Sequence, residues 1–156
     1  MAVAEDRSTL PDRSGPSSRP PGAGEPRAGT VDLTVLIPAL DEGRNLAILL
    51  PQLNAILQRL HLRYELFLLT RNADDLTQES ARRQGARVIE QQEPGYGGAL
   101  ITGFAAASGE YLLTMDADLS HPPEFVEELW KHRHEADVTI ASRYVPGGRA
   151  DMGFAR

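Results

Sequence analysis

Apolar and polar residues alternate between two spacings from residue 31 onward. Short apolar runs predict five strands, at 31–40, 64–70, 86–91, 110–118 and 137–144. Apolar residues at helical spacing, or small-residue stretches with helix start and stop signals, predict four helices between them, at 42–60, 74–85, 97–109 and 122–136. We expect Pro51 to kink or split the first helix, because proline lacks the amide hydrogen that a helix interior uses.

This alternation predicts the fold class and the place of a ligand site. Strands that alternate with helices form an α/β domain whose mostly parallel sheet has helices on both faces. In the common doubly wound order the first and fourth strands are neighbours, and ligands bind at their carboxyl ends. Here those ends are residues 38–42 and 115–118, so we expect the site to be there.

Composition separates an N-terminal tail from a domain and limits the classes of partner. Residues 1–30 are rich in Pro, Gly, Ser and Arg, which predicts a disordered tail before a domain at 31–156. Acidic and basic residues balance in that tail, so the net charge of −6 belongs to the domain and argues against nucleic acid as a main partner. We find no apolar run of about 18 residues and no secretory signal. The absence of cysteine excludes disulfides and thiolate metal sites.

Two aspartates one residue apart end the fourth apolar run, in EYLLTMDADLSHPPEF (110–125). In an extended chain Asp116 and Asp118 point to the same side, where two carboxylates repel unless a cation or a proton joins them. Oxygen ligands suit Mg²⁺ or Mn²⁺, and Mg²⁺ commonly combines one or two carboxylates with substrate phosphates. A metal-bound nucleotide diphosphate is therefore one interpretation. The other is a solvated turn, with Ser120 or His121 capping the next helix.

Three separated stretches resemble the inverting family 2 glycosyltransferases, most of all the dolichol-phosphate (polyprenol-phosphate) mannosyltransferases and their glucosyl relatives. They are VLIPALDEGRNL, GYGGALITGFAAASGEYLLTMDADLSHPPEF and ASRYVPGG, within residues 32–150. The resemblance implies a GT-A fold, a GDP-mannose or UDP-glucose donor, and Mg²⁺ or Mn²⁺. It also implies transfer of one hexose, with inversion, to a polyprenyl phosphate by a cytoplasmic enzyme that is peripheral at the inner face of the cell membrane.

The resemblance assigns roles to residues of each stretch. The nucleotide-sugar pocket would be lined by residues at the ends of three strands and in the glycine-rich loop: Pro38, Ala39, Leu40, Asp41, Glu42, Thr70, Gly97, Gly98, Asp116, Ala117 and Asp118. Asp116 and Asp118 would hold the metal, with Ser120 contacting it through water. The catalytic residues would be Asp118 and Arg143, and the acceptor phosphate would meet Arg143, Arg149 and Arg156. Alternatively, Asp41 and Glu42 favour the start of the next helix, and the glycines form an ordinary turn.

The chain departs from the family pattern in two places. Thr70 and Arg71 stand where the family commonly has an aspartate pair that helps hold the base, so the choice between GDP and UDP donors stays open. Family domains also continue beyond the position of Arg156, so we expect a missing C-terminal region or a partner chain to complete the acceptor site. The alternatives are a non-catalytic fragment, a hydroxyl-acceptor family 2 enzyme, and a nucleotidyltransferase. The last ranks lowest, because IPALDEGRNL lacks a glycine-and-basic signature.

Overall fold

The computed structural model describes residues 30–71 and 74–142, and of Asp75 the backbone alone. Within these residues strands and helices alternate, as predicted: β1 Leu33–Pro38, α1 Gly43–Arg59, β2 Tyr64–Thr70, α2 Asp75–Arg83, β3 Arg87–Glu90, α3 Gly95–Ala106, β4 Tyr111–Thr114 and α4 Phe125–His132. The predicted tail lies outside the described residues except for Thr30, so its disorder stays a prediction.

The described strands form one parallel sheet in the order β3-β2-β1-β4. Leu36 of β1 is paired with Phe67 of β2 on one side and with Thr114 of β4 on the other. The predicted adjacency of the first and fourth strands is therefore confirmed. As a result, the carboxyl ends of β1 and β4 lie next to each other at one edge of the sheet.

Both faces of the sheet carry helices, and the central strand β1 is buried on both sides. Val35 and Ile37 pack into a core built with the buried stripe of α1, with Ala81 of α2 and with Val126 of α4. Leu36, which points the other way, packs with residues of β2 and with Ala99 of α3. A nearly continuous apolar run such as LTVLIP, interrupted only by Thr34, is typical of a parallel strand that is buried on both faces.

The predicted fifth strand and the predicted split of the first helix at Pro51 are wrong, whereas a kink at Pro51 stays a prediction. Residues 137–142, the described part of the predicted fifth strand, form no strand, and Val138 and Ile140 are 73% and 78% exposed. Their alternating pattern suits a strand, but among the described strands no neighbour pairs with it. Pro51 does not split α1, which runs unbroken from Gly43 to Arg59. The proline lies on the exposed side of the helix, so its ring does not disturb the buried stripe.

Among the described residues, no helix combines the length and the hydropathy that crossing a bilayer requires.

An ion pair joins the starts of β1 and β2. Asp32 is 7% exposed and accepts hydrogen bonds from the backbone N–H of Arg63 at 2.8 Å and from its guanidinium at 2.7 Å. The side-chain hydrogen bond from Arg63 is the main reason that the pKa of Asp32 lies below its ordinary value of 3.8. Because the folded pKa is lower than the unfolded one, this stabilisation is present above pH 3.8 and is lost as the pH falls through the folded pKa.

We therefore predict that Asp32→Asn lowers the free energy of unfolding at pH 7 by about 1 to 2 kcal/mol. The difference from the unmodified chain should shrink as the pH falls below 3.8 and through the lowered pKa of Asp32, because the carboxylate then gains its proton. Denaturant unfolding over this pH range measures both effects. Glu79→Gln, which removes an exposed pair with Arg83, is the matched control and should change stability little at any pH. An Asp32→Asn deficit that is independent of pH would contradict the prediction.

Candidate active site

The chain leaves the end of β1 through a sharp turn. The N–H of Ala39 still donates to the carbonyl of Leu69 at 3.0 Å, so the strand stays joined to β2 up to this residue. Leu40 is then 59% exposed, and Asp41 has φ of +56°, a left-handed conformation that aspartate tolerates better than most residues. The turn brings the predicted pocket residues to the carboxyl edge of the sheet, at the start of α1.

The carboxylates of this turn do not cap α1. Glu42 occupies the N-cap position, but its side chain makes no capping hydrogen bond. It accepts instead from the side-chain amide of Asn45 at 2.5 Å. Gly43 follows because a side chain there would lie 2.6 Å from Leu76 and 2.8 Å from the backbone of Thr77. The starts of α1 and α2 are therefore packed against each other behind the turn, and the exposed Asp41 faces solvent.

The aspartate pair follows β4, where the backbone of residues 117–119 bends. The N–H of Met115 donates to the carbonyl of Leu36 at 3.0 Å, which continues the pairing with β1 beyond Thr114. Asp116 and Asp118 are exposed, whereas Ala117 between them is buried in the core. Both carboxylates thus reach solvent beside the end of β1.

Hydrogen bonding holds Asp118 in its charged form. One carboxylate oxygen of Asp118 accepts from the backbone N–H of Ser120 at 2.9 Å. Hydrogen bonding by Ser120, through its side chain and its backbone, is the main reason that the pKa of Asp118 is lowered, and the charge of His121 adds to it. Asp118 is therefore ionised at neutral pH and fixed in direction.

Ser120 and His121 do not cap the next helix. The Ser120 hydroxyl lies 2.9 Å from Nδ1 of His121. The N-cap of α4 is Glu124, which makes no side-chain capping bond, so the interpretation of this stretch as a helix cap is wrong. Leu119 has φ of +61°, which marks a tight turn directly after the aspartate pair.

The donor groups at this edge fit a divalent ion that shares its ligands with a substrate. Within residues 30–71 and 74–142, no cluster of three or more His, Asp or Glu side chains could hold an ion by itself. Asp116 and Asp118 offer two exposed carboxylates directly after β4. An octahedral ion held by one or two carboxylates takes its remaining ligands from water and phosphate oxygens. The pair therefore suits an ion that arrives with a diphosphate.

The glycine-rich loop places the start of α3 opposite the aspartates. Gly95 has φ of +80°, which a residue with a side chain adopts with difficulty. A Cβ on Gly98 would lie 2.2 Å from the carbonyl oxygen of Glu93, whereas a Cβ on Gly97 would meet nothing within 4 Å. The helix is thus held tightly to the preceding loop at Gly98 and leaves open space at Gly97.

Tyr96 is a site residue to which the sequence reasoning gave no role. Its ring is 55% exposed and borders the same groove as Asp116. Burial, then the negative charge of Asp116 and a hydrogen-bonding interaction with it, raise the pKa of the Tyr96 hydroxyl. The sequence places Tyr96 in the glycine-rich stretch GYGG, but its approach to Asp116 depends on how the start of α3 meets the end of β4.

An open groove of about 1270 Å³ runs along β4 away from this edge. It is bordered by Tyr96, Asp116 and His121 at the carboxyl end and by Tyr111 and Arg133 at the other. Among the described strands, β4 pairs with β1 alone. The groove therefore leads from the candidate metal ligands along one side of the sheet.

The remaining predicted site residues fall into two groups. Thr70 is the last residue of β2 and is buried, so it lies at the same edge of the sheet. Arg143, Arg149 and Arg156 lie outside the described residues. Their roles stay predictions.

Residues 34–151 match the family model described as "Glycosyl transferase family 2". The chain belongs to this family. Two of its relatives carry the name dolichol-phosphate mannosyltransferase. The one from Pyrococcus furiosus is 34% identical over 125 residues, which cover 76% of this chain and 35% of the relative. The one from Saccharomyces cerevisiae is 34% identical over 132 residues, which cover 80% of this chain and 49% of the relative.

A third relative is the undecaprenyl-phosphate 4-deoxy-4-formamido-L-arabinose transferase of Serratia proteamaculans, 30% identical over 80% of this chain and 40% of the relative. Among solved structures, glucosyl-3-phosphoglycerate synthase from Mycobacterium tuberculosis, in complex with Mn²⁺, UDP and glucosyl-3-phosphoglycerate, matches with a TM-score of 0.57 and 28% identity. That match covers 66% of this chain and 39% of the synthase. The chain has the GT-A α/β fold and spans less than half the length of these relatives.

Proposed function

We propose that this chain forms the donor-binding part of a metal-dependent glycosyltransferase that moves a hexose, with inversion, from a nucleoside diphosphate sugar to a polyprenyl phosphate. The observation that carries the proposal is the exposed pair Asp116 and Asp118, placed beside the end of β1 in a family 2 domain. The relatives named for dolichol-phosphate and undecaprenyl-phosphate support the acceptor class.

Asp116 and Asp118 would hold the divalent ion. Synthase structures with this fold contain Mn²⁺ or Mg²⁺, which supports a divalent ion here without choosing between the two. Such an ion stabilises the negative charge that develops on the departing diphosphate. The chain's own contribution is to keep Asp118 ionised and pointed outward through the bond from Ser120. Gly97 is exposed, with open space where a side chain would lie, so its backbone is available to the donor.

The acceptor needs no general base if it is a phosphate. A phosphate monoester has a second pKa of about 6 and is largely ionised at neutral pH, so it can attack the anomeric carbon directly. It requires positive charge for positioning, which is the role proposed for Arg143, Arg149 and Arg156. A polyprenyl acceptor places this chemistry at the cytoplasmic face of a membrane, with the domain in peripheral contact. A C-terminal region or partner chain would then complete the acceptor site.

Transfer to the hydroxyl of a small phosphorylated acid is a second candidate function. It is favoured by the match to glucosyl-3-phosphoglycerate synthase, one of whose structures contains UDP-glucose and phosphoglyceric acid. A hydroxyl acceptor is poorly ionised and would need a positioned general base. The two candidates share the donor site and differ in the acceptor site.

Titration calorimetry of the chain tests the donor site that both candidates share. We expect GDP-mannose or UDP-glucose, and the corresponding diphosphate, to bind in the presence of Mn²⁺ and to bind far more weakly in the presence of EDTA. Whichever nucleotide sugar binds more tightly, GDP-mannose or UDP-glucose, identifies the base of the donor. If none of these compounds binds with Mn²⁺, the donor-site proposal fails and the chain is a non-catalytic fragment.

The acceptor is then identified by transfer of a radiolabelled sugar from the donor that binds. Label that partitions into the organic phase with a polyprenyl phosphate supports the first candidate. Label found on phosphoglyceric acid in the aqueous phase supports the second. Tight donor binding without transfer to either compound would support the proposal that a C-terminal region or partner chain completes the acceptor site.

A further inference from the structure

The buried side of α3 is made of small residues. The buried residues of this helix are Gly98, Ala99 and Gly103. A Cβ on Gly103 would lie 2.7 Å from the side chain of Leu69 and 3.0 Å from that of Leu36, so the glycine lets the helix approach the sheet closely. A surface helix normally turns its large apolar side chains toward the core and its polar ones toward solvent. In α3 the residues that face the sheet are instead the small ones.

The large apolar side chains of α3 face outward. Ile101 is 66% exposed and Phe104 is 47% exposed. Ala105 is exposed as well, and the three residues have the spacing of one helix face. No charged residue occurs from position 95 to position 109. We call Ile101, Phe104 and Ala105 the apolar stripe of α3. Exposed apolar surface of this kind marks a contact with a partner when it is contiguous.

The apolar stripe lies close to the candidate site. Tyr96, in the first turn of α3, is 55% exposed and borders the groove together with Asp116. Phe104, about two turns further along the helix, borders the same groove. A surface that covers the apolar stripe would therefore extend toward the edge at which Asp116 and Asp118 would hold the metal and the donor.

The chemistry of the stripe and of the proposed acceptor favours a bilayer surface as its partner. A polyprenyl phosphate is a lipid, so an enzyme that uses it must reach a membrane. The chain carries a net charge of −6, so attraction to anionic headgroups cannot hold it there, and burial of apolar side chains must do so. With 12 residues, α3 is too short to span a bilayer and suits a helix that lies along its surface.

We propose that α3 lies on the surface of a lipid bilayer, with the side chains of Ile101 and Phe104 inserted among the headgroups. The contact would bring the donor site to the phosphate of an acceptor held in the membrane. The inference rests on the proposed function, because the acceptor there is a polyprenyl phosphate, and it deepens that function by naming the surface that faces the membrane. Since the stripe is uncharged, binding depends on apolar burial and requires no anionic lipid.

Co-sedimentation with phosphatidylcholine vesicles tests the contact. We expect the unmodified chain to bind these neutral vesicles, and adding phosphatidylserine should not strengthen the binding. A double variant, Ile101→Gln with Phe104→Gln, should bind at least about tenfold more weakly, because two apolar side chains that enter the bilayer become polar. Ile48→Gln is the matched control. Ile48 is 50% exposed on α1, which packs on the other face of the sheet, so this variant should bind as the unmodified chain does.

A tryptophan placed on the stripe locates the contact. Ile101→Trp should bind the vesicles more tightly, because tryptophan favours the membrane interface. Its added emission should be quenched by brominated phosphatidylcholine. Ile48→Trp adds the same fluorophore to α1 and should show no additional quenching, while Trp130 is common to both variants. Equal quenching of the two added tryptophans would show that α3 is not the surface that faces the membrane.

The inference is overturned if the unmodified chain does not bind phosphatidylcholine vesicles, or if the double variant binds them equally well. It is also overturned if sedimentation equilibrium shows a dimer that the double variant dissociates, because the stripe would then belong to a second copy of the chain. Nucleotide titration without vesicles keeps the two proposals apart. A chain that binds nucleotide but no vesicles refutes the membrane contact and leaves the donor site standing, and the reverse result refutes the donor site alone.

Discussion

An Asp118→Asn variant should lose at least about 100-fold in its Mn²⁺-dependent affinity for a nucleoside diphosphate, which corresponds to about 2.7 kcal/mol. The carboxylate is exposed beside the end of β1 and is kept ionised by Ser120, so its charge is available to an ion at neutral pH. Asparagine keeps the oxygen that accepts from the N–H of Ser120 at 2.9 Å. The substitution therefore removes the charge while preserving the turn, which alanine would not do.

The control for this variant is a carboxylate at the other end of β4. Glu110 is exposed and directly precedes β4, at the opposite end of that strand from Asp116 and Asp118. Glu110→Gln removes the same charge from the domain and should leave the titration unchanged. Asp116→Asn should weaken binding as Asp118→Asn does. Both variants should keep the unfolding temperature of the unmodified chain. If they then bind the nucleotide equally in the presence of Mn²⁺, Asp116 and Asp118 do not hold the metal.

The strands and their order could be predicted from the sequence because hydrophobic periodicity is a local signal. The run YELFLLT predicts a strand at 64–70, and the structure has β2 over the same residues. The adjacency of β1 and β4 followed from a general rule of doubly wound sheets, and it placed Asp116 near the turn after Pro38. Composition, periodicity and strand order were thus sufficient to locate the edge at which the candidate site lies.

Features that depend on contacts between distant segments were not predictable in this way. Val138 and Ile140 alternate as in a strand, but a strand forms when a neighbour supplies hydrogen bonds, and none of the described strands does so. The proximity of Tyr96 to Asp116 depends on how the start of α3 meets the end of β4. The burial of Thr70, which is 4% exposed at the end of β2, likewise depends on contacts between distant segments.

Gly98→Ala should be the most damaging substitution in the glycine-rich loop. The added Cβ would lie 2.2 Å from the carbonyl oxygen and 2.6 Å from the carbonyl carbon of Glu93, which are backbone atoms without rotamers to adopt. The loop or the start of α3 must move, at a cost of roughly 1 to 3 kcal/mol in the free energy of unfolding. Because Tyr96 and Gly97 move with the helix start, Mn²⁺-dependent nucleotide affinity should fall as well. Denaturant unfolding and calorimetry measure the two effects.

Gly97→Ala separates the structural role of this loop from its role in binding. A Cβ at Gly97 meets nothing within 4 Å, and the residue lies inside α3, where alanine is favoured over glycine by roughly 0.5 to 1 kcal/mol. Stability should therefore be unchanged or slightly increased. If the donor approaches the backbone at Gly97, as proposed, the new methyl group occupies its space, and nucleotide affinity falls without any loss of stability. Equal stability of Gly98→Ala and Gly97→Ala would contradict the close contact between Gly98 and Glu93. Normal nucleotide binding by Gly97→Ala would show that the donor does not contact this loop.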